Sequence, residues 1–247
     1  AQRTANILGV RKIKYYDRDF AFAAERRCCH IHHIKILRQH LRKADGTVPL
    51  GIGVLLRVFV INTIHHGSLQ NRIGIDFSSS QRGGCIGGKE RYDSVYQGLS
   101  AIGAEGENDI VLIHDGARPF VTAEMISASI ACARECGACT VGVPAKDTIK
   151  IVDTDHYGVE TPERKFVYQI QTPQTFQVPL LRRAYETMYE AKRNGDTHNI
   201  TDDTMLVEQY AGVRCKVVEG AYENIKITTP EDLAIAEIFV EKTLKKF

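Results

Sequence analysis

From about residue 86 onward, short apolar runs alternate with longer segments of helical periodicity. The sequence at 110–113 is Ile-Val-Leu-Ile, and a second run of this kind covers 139–143. Uninterrupted runs of this length are typical of strands that are buried on both faces of a parallel sheet. Between them lies a segment with apolar residues on one helical face, which Thr122 would cap and Gly137 would end. This order of elements predicts βαβ units and a largely parallel sheet flanked by helices.

The rest of this part of the chain adds further helices and strands. Helices are predicted after Gly88, over 180–191, after a cap at Thr201 and after a cap at Thr229, and strands over 213–219 and 225–228. The last helix has the strongest start signal, because Pro230 and two acidic residues directly follow its cap. The sequence contains no internal repeat or low-complexity linker. We therefore expect a single domain over 1–247 with a protruding arm.

Residues 147–172 interrupt the alternation of helices and strands. The segments 148–152 and 164–172 both have extended patterns, and the sequence between them includes the turn-forming Asp155-His156-Tyr157-Gly158. A two-stranded ribbon is only marginally stable by itself. We therefore expect this β-arm to pack against another surface, such as a second subunit.

Composition narrows the class of protein. A hydrophobic content of 43% and a charged content of 25% are ordinary for a globular domain. Seven cysteines without regular spacing argue against a disulfide framework and for a reducing compartment. No apolar run approaches the roughly 20 residues that span a bilayer, and the N-terminus has no apolar signal-peptide segment. These features predict a cytoplasmic enzyme that does not enter a membrane.

Charge is distributed unevenly along the chain. Residues 1–84 hold 14 Lys and Arg against 5 Asp and Glu, whereas residues 85–247 hold 18 against 25. A basic arm on an acidic domain can bind nucleic acid, but no aromatic interleaving or groove-reading motif accompanies it, so nucleic acid is not an expected partner. The cluster Cys28-Cys29-His30-Ile31-His32-His33 lacks the paired spacing of a zinc site. This part of the sequence predicts only a basic helix over 34–41 and one or two strands over 47–61.

The candidate chemistry begins where the run 110–113 ends. His114 and Asp115 follow it, and then come a flexible Gly-Ala pair and Arg118. Ligands of open α/β sheets bind beyond the carboxyl ends of the strands. A carboxylate there can hold a divalent cation, and the arginine can brace an anionic group. The simpler alternative is a strand-end Asp that only pairs with a neighbouring Arg.

Five further blocks accompany this one in order. They are Gly87-Gly88-Lys89-Glu90-Arg91-Tyr92-Asp93-Ser94-Val95, Asp147-Thr148-Ile149-Lys150, Gln171-Thr172-Pro173-Gln174, Ile200-Thr201-Asp202-Asp203, and Glu223-Asn224-Ile225-Lys226-Ile227-Thr228 with Pro230-Glu231-Asp232-Leu233. In this order and spacing the chain resembles the 2-C-methyl-D-erythritol 4-phosphate cytidylyltransferase family over about residues 86–244. The resemblance implies a Rossmann-like α/β fold of the nucleotide-diphospho-sugar transferase type. It also implies a nucleotidyltransferase of isoprenoid biosynthesis that joins CTP to methylerythritol phosphate and releases pyrophosphate.

The resemblance also implies roles for individual residues. Asp115 resembles the carboxylate that holds Mg²⁺ beside the nucleotide, Arg118 the residue that braces its loop, and Lys226 the lysine that reaches the α-phosphate. Gly87, Gly88 and Ser94 resemble the cytosine and ribose contacts. The remaining implied contacts are to the alcohol phosphate: Thr148, Arg164 and Thr172 from the arm and its base, with Thr201 and Asp202 lining the acceptor pocket. The arm 147–172 resembles the element through which such enzymes form homodimers. Lys89 stands where the family often has an acid, and we assign its side chain no role.

The first 85 residues do not match this family. Its members open with a Gly-rich loop, a Pro-Lys-Gln-Phe segment and a Gly-Lys-Pro segment, none of which is present here. One hypothesis is that 1–85 are translated in the wrong frame. The residues Arg42-Lys43-Ala44-Asp45-Gly46 can be encoded by a string that reads Gly-Lys-Pro-Thr-Val one nucleotide later. The rival hypothesis is a genuinely divergent N-terminus. Resequencing of the coding DNA decides between them, because an uninterrupted frame through codon 86 that yields active protein would refute the frameshift.

Two other functions fit the sequence. The first is cytidylyl transfer to another polyol phosphate such as ribitol 5-phosphate, with differences mainly in arm and pocket residues. The second is a non-catalytic protein that binds nucleotides, or nucleic acid through its basic N-terminus. Pyrophosphate release with each alcohol phosphate separates the two enzymes, and salt-sensitive nucleic-acid binding would favour the non-catalytic protein.

Overall fold

The computed structural model describes residues 58–63, 72–77, 82–86, 88–102 and 106–244. In these residues the chain forms β1 (Val58–Thr63), β2 (Arg72–Phe77), β3 (Arg82–Ile86), α1 (Arg91–Ala101), β4 (Ile110–Asp115), α2 (Ala123–Cys136), β5 (Ala138–Pro144), β6 (Ile151–Val152), β7 (Gly158–Glu160), a 3-10 turn (Arg164–Phe166), β8 (Tyr168–Gln177), α3 (Val178–Arg193), α4 (Asp203–Ala211), β9 (Lys216–Glu219) and α5 (Pro230–Leu244). The predicted strand over 47–61 overlaps β1. The predicted helix over 34–41 and the cluster 28–33 lie outside the described residues.

The main sheet has the strand order β3-β2-β1-β4-β8-β5-β9. β1 and β4 pair in parallel, as do β5 and β9, whereas β2 and β8 are antiparallel to both of their neighbours. Most strands therefore point in one direction, which confirms the predicted Rossmann-like α/β class. The pairing is nevertheless mixed, because β8 returns from the arm and inserts between β4 and β5. The sequence did not predict this insertion.

Helices cover both faces of the central strand β4. Val111 and Ile113 pack in a cluster with α1, α3 and α4, while Ile110 and Leu112 pack in a second cluster with α2. All four side chains are buried, and full burial of such a side chain typically stabilises a fold by about 1.5–3 kcal/mol. This packing on both faces explains the uninterrupted apolar run. It also fixes the position of Asp115, the last residue of β4.

Three predicted helix boundaries are confirmed. Thr122 Oγ1 accepts a hydrogen bond from Met125 N at 3.3 Å, and Gly137 ends α2 with a φ of 83°. The predicted helix over 180–191 is α3, extended by two residues at each end. At α5, Thr229 Oγ1 accepts from Asp232 N at 3.4 Å, and Thr229 N donates to Asp232 Oδ2 at 2.9 Å. These reciprocal bonds satisfy backbone donors that a helix start leaves free.

Three local predictions were wrong. Thr201 does not cap α4, because Asp202 takes that position and its Oδ1 accepts from Met205 N at 2.7 Å. The strand predicted over 213–219 is limited to Lys216–Glu219. Residues 225–228 form no strand and instead follow the loop after β4, where Ile227 N donates to Ala117 O at 2.9 Å. The β-branched residues of that segment pack against α5 rather than on a neighbouring strand.

Within 147–172 the structure forms a two-stranded ribbon that is shorter than the predicted extended segments. β6 pairs only with β7 in a separate two-stranded sheet. The second predicted extended segment begins instead as the 3-10 turn and then enters the main sheet as β8, which continues past Pro173. The arm exposes large apolar side chains, and Phe166 and Tyr157 are 75% and 74% exposed. Among the described residues, no helix is long and apolar enough to cross a membrane.

Candidate active site

Asp115, Arg118 and Lys226 meet at the carboxyl end of β4. Asp115 Oδ2 lies 3.2 Å from Lys226 Nζ and 3.5 Å from Arg118 Nε. The Asp115 side chain is nearly buried, whereas 46% of the Lys226 side chain is exposed. The half-exposed lysine side chain therefore places its ammonium group against a carboxylate that is fixed in the fold. The structure thus brings together Asp115 and Lys226, which were predicted to act at the phosphates, and Arg118, which was predicted to brace the Asp115 loop.

Electrostatics keeps this carboxylate ionised. Burial raises the pKa of Asp115, but the nearby cations Lys226, Arg91 and Arg118 outweigh burial and hold it below its ordinary value. Burial also lowers the pKa of Arg118, against the opposing effect of Asp115. The ordinary pKa of arginine is so far above neutrality that Arg118 still carries its charge at neutral pH. The surplus of positive charge around one carboxylate suits a polyphosphate.

A buried histidine fixes the turn that carries Asp115. Thr172 Oγ1 accepts from Asp115 N at 3.0 Å and lies 2.9 Å from His114 Nδ1, and His114 Nε2 lies 3.1 Å from Arg118 O. Because a carbonyl can only accept, Nε2 must carry the hydrogen. In a neutral ring Nδ1 then accepts, so the Thr172 hydroxyl donates to it. Thr172 was predicted to bind the alcohol phosphate, and in this structure its hydroxyl hydrogen is already donated to His114 while its oxygen accepts from the Asp115 backbone.

The free energy of unfolding should decrease at mildly acidic pH because of His114. Burial lowers its pKa from 6.5 to about 4, although Asp115 opposes this change. Between these pH values the unfolded chain binds more protons than the folded protein. The neutral histidine therefore contributes its full stabilisation above pH 6.5. As the pH falls towards 4, this contribution to the free energy of unfolding, at most about 3 kcal/mol, is lost. We expect His114→Gln, which keeps a donor for Arg118 O, to show a smaller loss.

Urea denaturation between about pH 7 and pH 4.5 tests this expectation. The informative quantity is the difference in unfolding free energy between the parent and His114→Gln at each pH. Equal pH dependence in the two proteins would show that His114 is not the responsible group.

The predicted nucleotide contacts lie at the start of α1. Gly88 N donates to Ser94 Oγ at 3.1 Å, and Ser94 is buried. A Cβ atom added to Gly88 would lie 2.1 Å from Cβ of Asp93, so only glycine fits here. Gly87 lies outside the described residues. At the first residue of α1, Arg91 Nη1 lies 2.7 Å from Asp203 Oδ2, which ties this helix start to the start of α4.

The predicted acceptor residues have other contacts in this structure. Thr148 is exposed, and Arg164 donates from Nη1 to Lys146 O at 3.0 Å, at the base of the arm. Thr201 is also exposed, with Oγ1 at 3.5 Å from Met205 Sδ. Asp202 caps α4 and also accepts from Gln174 Nε2 at 3.0 Å. Their roles towards a substrate remain predictions.

The donor set limits how a metal ion could bind. Within the described residues, no group of three or more His, Cys, Asp or Glu side chains could hold a metal ion. Mg²⁺ often binds through one or two carboxylates together with substrate phosphates and water. The buried, ionised Asp115 fits that arrangement, whereas the described part of the chain offers no cage made of protein groups alone.

Three residues that organise the site had no role predicted from the sequence. His114 was part of the quoted stretch, but nothing in the sequence indicated that its ring bonds to Thr172. Gln171 and Asn224 belong to quoted blocks, and Asn224 Nδ2 donates to Gln171 Oε1 at 3.2 Å and to Thr172 O at 3.0 Å. Their position beside Thr172 and Lys226 was the only available signal.

The fold is an α/β fold of the nucleotide-diphospho-sugar transferase type, and one carboxylate and two cations meet at the end of its central strand. The sequence profile of the 2-C-methyl-D-erythritol 4-phosphate cytidylyltransferase (IspD) family matches residues 76–242. This is more than half of the chain, and the chain belongs to that family. The match begins about ten residues earlier than the resemblance predicted from the sequence.

Known relatives agree with this assignment. The chain is 46% identical to the 2-C-methyl-D-erythritol 4-phosphate cytidylyltransferase of Lachnospira eligens, over 63% of this chain and 66% of the relative. It is 54% identical to the enzyme of the same name from Clostridioides difficile, over 61% of this chain and 60% of that relative. The 4-diphosphocytidyl-2C-methyl-D-erythritol synthase structure from Anaerococcus prevotii has 38% identity and a TM-score of 0.55, covering 63% of this chain and 66% of that one. The 2-C-methyl-D-erythritol 4-phosphate cytidylyltransferase structure from Thermus thermophilus has 35% identity and a TM-score of 0.52, covering 63% of this chain and 71% of that one. The chain spans just under two thirds of the length of these curated relatives.

Proposed function

We propose that this protein transfers the cytidylyl group of CTP to 2-C-methyl-D-erythritol 4-phosphate, in isoprenoid biosynthesis. A phosphate oxygen of the acceptor attacks the α-phosphorus, the bond to the β-phosphate breaks, and pyrophosphate leaves. The products are 4-diphosphocytidyl-2-C-methyl-D-erythritol and pyrophosphate. The observation that carries the proposal is the Asp115, Arg118 and Lys226 group at the end of β4, in a chain that belongs to the cytidylyltransferase family.

Positioning and charge stabilisation account for the chemistry, since both reactants are anions and no covalent intermediate is required. The ammonium group of the half-exposed Lys226 would contact the α-phosphate, where negative charge develops as the acceptor attacks. Arg118 is less mobile, because its Nη1 donates to Asn224 O at 2.8 Å and its Nε faces Asp115. It would therefore keep the Asp115 turn in place as substrates enter.

Mg²⁺ is the proposed cofactor. Asp115 would hold it together with the nucleotide phosphates, where the ion would neutralise charge on the triphosphate. Gly87, Gly88 and Ser94 would contact the cytosine and ribose. Contacts to the alcohol phosphate are proposed for Thr148, Arg164, Thr172, Thr201 and Asp202.

Pyrophosphate release tests this function. Purified protein is mixed with CTP, Mg²⁺ and either methylerythritol phosphate or ribitol 5-phosphate, and Asp115→Asn serves as the matched inactive control. We expect release with methylerythritol phosphate. Release with ribitol 5-phosphate alone would support the other polyol enzyme. No release with either compound, together with salt-sensitive binding of DNA or RNA, would support the non-catalytic function.

We also propose that the arm 147–172 forms a homodimer and completes the site of the partner subunit. The support is a ribbon too small to be stable by itself that exposes Tyr157, Val159 and Phe166. Arg164 adds a cation suited to a phosphate.

A cytoplasmic location is proposed as well, because Cys132, Cys136, Cys139 and Cys215 are free, as expected in a reducing compartment.

Mixed dimers test whether the arm acts in trans. Arg164→Ala and Lys226→Met should each be nearly inactive, since each lacks one cation at both sites. A heterodimer of the two variants contains one site with both residues, so we expect up to about half of the parental activity per dimer. The heterodimer is isolated with two different affinity tags, and each homodimeric variant is the control. Verified heterodimers without recovered activity would mean that the arm serves its own subunit, and a protein that stays monomeric would contradict the dimer itself.

A further inference from the structure

Lys226 lies on a segment without regular secondary structure between β9 and α5. The segment is attached to the body of the protein at specific points. Gly220 N donates to Gly142 O at 2.9 Å, and Ile227 N donates to Ala117 O at 2.9 Å. The distance between Lys226 and Asp115 therefore depends on individual hydrogen bonds rather than on a helix or a strand ladder.

Asn224 adds three further attachments from a fully buried position. Its Nδ2 donates to Thr172 O at 3.0 Å and to Gln171 Oε1 at 3.2 Å, and its backbone oxygen accepts from Arg118 Nη1 at 2.8 Å. Gln171 Nε2 in turn donates to Ala221 O at 2.8 Å. One residue thus joins β8, the Asp115 turn and the segment that carries Lys226.

The contacts of this side chain require an amide. An aspartate would place a carboxylate against the Thr172 carbonyl and Gln171 Oε1, where no hydrogen is available to donate. An apolar residue would leave both acceptors buried without a donor, at a typical cost of about 1–3 kcal/mol each. Asn224 Oδ1 is itself buried without a hydrogen-bond partner among the described residues. The amide therefore satisfies its neighbours through its donors while one of its own atoms stays unsatisfied.

We propose that Asn224 is a positioning residue that holds Lys226 beside Asp115 for the transfer step, an inference that rests on the proposed cytidylyltransferase function. It does not contact substrate, and it acts through the lysine two residues further along the chain. Because Lys226 would act mainly on the charge that develops in the transition state, losing its position should lower kcat more than it raises KM.

Kinetics of Asn224→Ala and Asn224→Asp provide the first test. We expect kcat to fall at least about tenfold while KM for CTP changes by less than about threefold. Asn108→Ala is the matched control, because Asn108 is an exposed asparagine at the opposite end of β4 and should leave both constants unchanged. Parental kcat in either folded Asn224 variant would overturn the inference.

A double-mutant cycle separates positioning from a purely structural role. If Asn224 acts through the lysine, Asn224→Ala should cost less than about twofold in kcat when Lys226 is already methionine, whereas independent effects would multiply. Thermal melting of each variant verifies that it is folded. An undiminished further loss in the Lys226→Met background would show that Asn224 does not work through Lys226.

Chemical modification of Lys226 tests the inference without relying on catalysis. Parent and Asn224→Ala are treated briefly with an amine-acylating reagent, and modification at Lys226 is quantified by peptide mass spectrometry. Release of the lysine from Asp115 should increase its modification several-fold, with Lys216 as an exposed internal reference. Equal modification would refute the positioning role even if the parent released no pyrophosphate. An inactive parent with increased modification would refute only the proposed function.

Discussion

Asp115→Asn and Lys226→Met should each lower turnover by about a hundredfold or more, the typical cost of losing one group that stabilises transition-state charge. Asp115 would lose the anionic oxygen that fits a metal ion and that now lies 3.2 Å from Lys226. Methionine keeps much of the length and apolar stem of lysine but has no charge for the α-phosphate. Because nearly half of the Lys226 side chain is exposed, Lys226→Met should leave the fold intact.

The measurement is kcat with CTP and methylerythritol phosphate, together with a thermal melt of every variant. Lys216→Met is the matched control, because Lys216 is an exposed lysine on the edge strand β9. It should keep parental turnover. Near-normal turnover in a folded Asp115 or Lys226 variant would remove that residue from the proposed mechanism.

The parts of this site that could be predicted depend on local patterns. The run 110–113 predicted a strand buried on two faces. Asp115 follows closely after this run, which indicated that it lies at the edge of the sheet where ligands bind. The helix caps Thr122 and Thr229 were equally readable, because a cap and its partner lie within a few residues of each other. Lys226 was assigned through the family resemblance, since a lone lysine in a β-branched segment has no local signature.

What could not be predicted depends on contacts between distant parts of the chain. The bond between His114 and Thr172 exists only because β8 inserts antiparallel beside β4. Asn224 is buried by the same arrangement, although asparagine is usually exposed. The error at Thr201 has a different cause, because two adjacent residues both had cap chemistry and periodicity alone could not choose between Thr201 and Asp202.

Asp203→Ala should destabilise the fold by about 3–5 kcal/mol, the usual cost of removing one partner from a buried ion pair. Asp203 is 1% exposed and lies 2.7 Å from Arg91 Nη1. Its other oxygen accepts from the buried Tyr185 hydroxyl at 2.6 Å. Burial lowers the pKa of Arg91, but the carboxylates of Asp203 and Asp115 outweigh burial and raise it. Burial, followed by Asp203, raises the pKa of Tyr185. Without the carboxylate, a largely buried cation and a buried hydroxyl would both lose their partner.

The neighbouring residue supplies the control. Asp202→Ala removes a helix cap from a half-exposed position and should lower the free energy of unfolding by about 1–2 kcal/mol. Unfolding free energies of both variants from urea denaturation, at unchanged m-value, measure the difference. Combining Asp203→Leu with Arg91→Met should recover only the part of the loss that comes from the ion pair, because apolar side chains can often replace such a pair at little cost. The buried Tyr185 hydroxyl would still lack its acceptor. A loss in Asp203→Ala no larger than that in Asp202→Ala would mean that the Arg91–Asp203 pair does not stabilise the junction of α1 and α4.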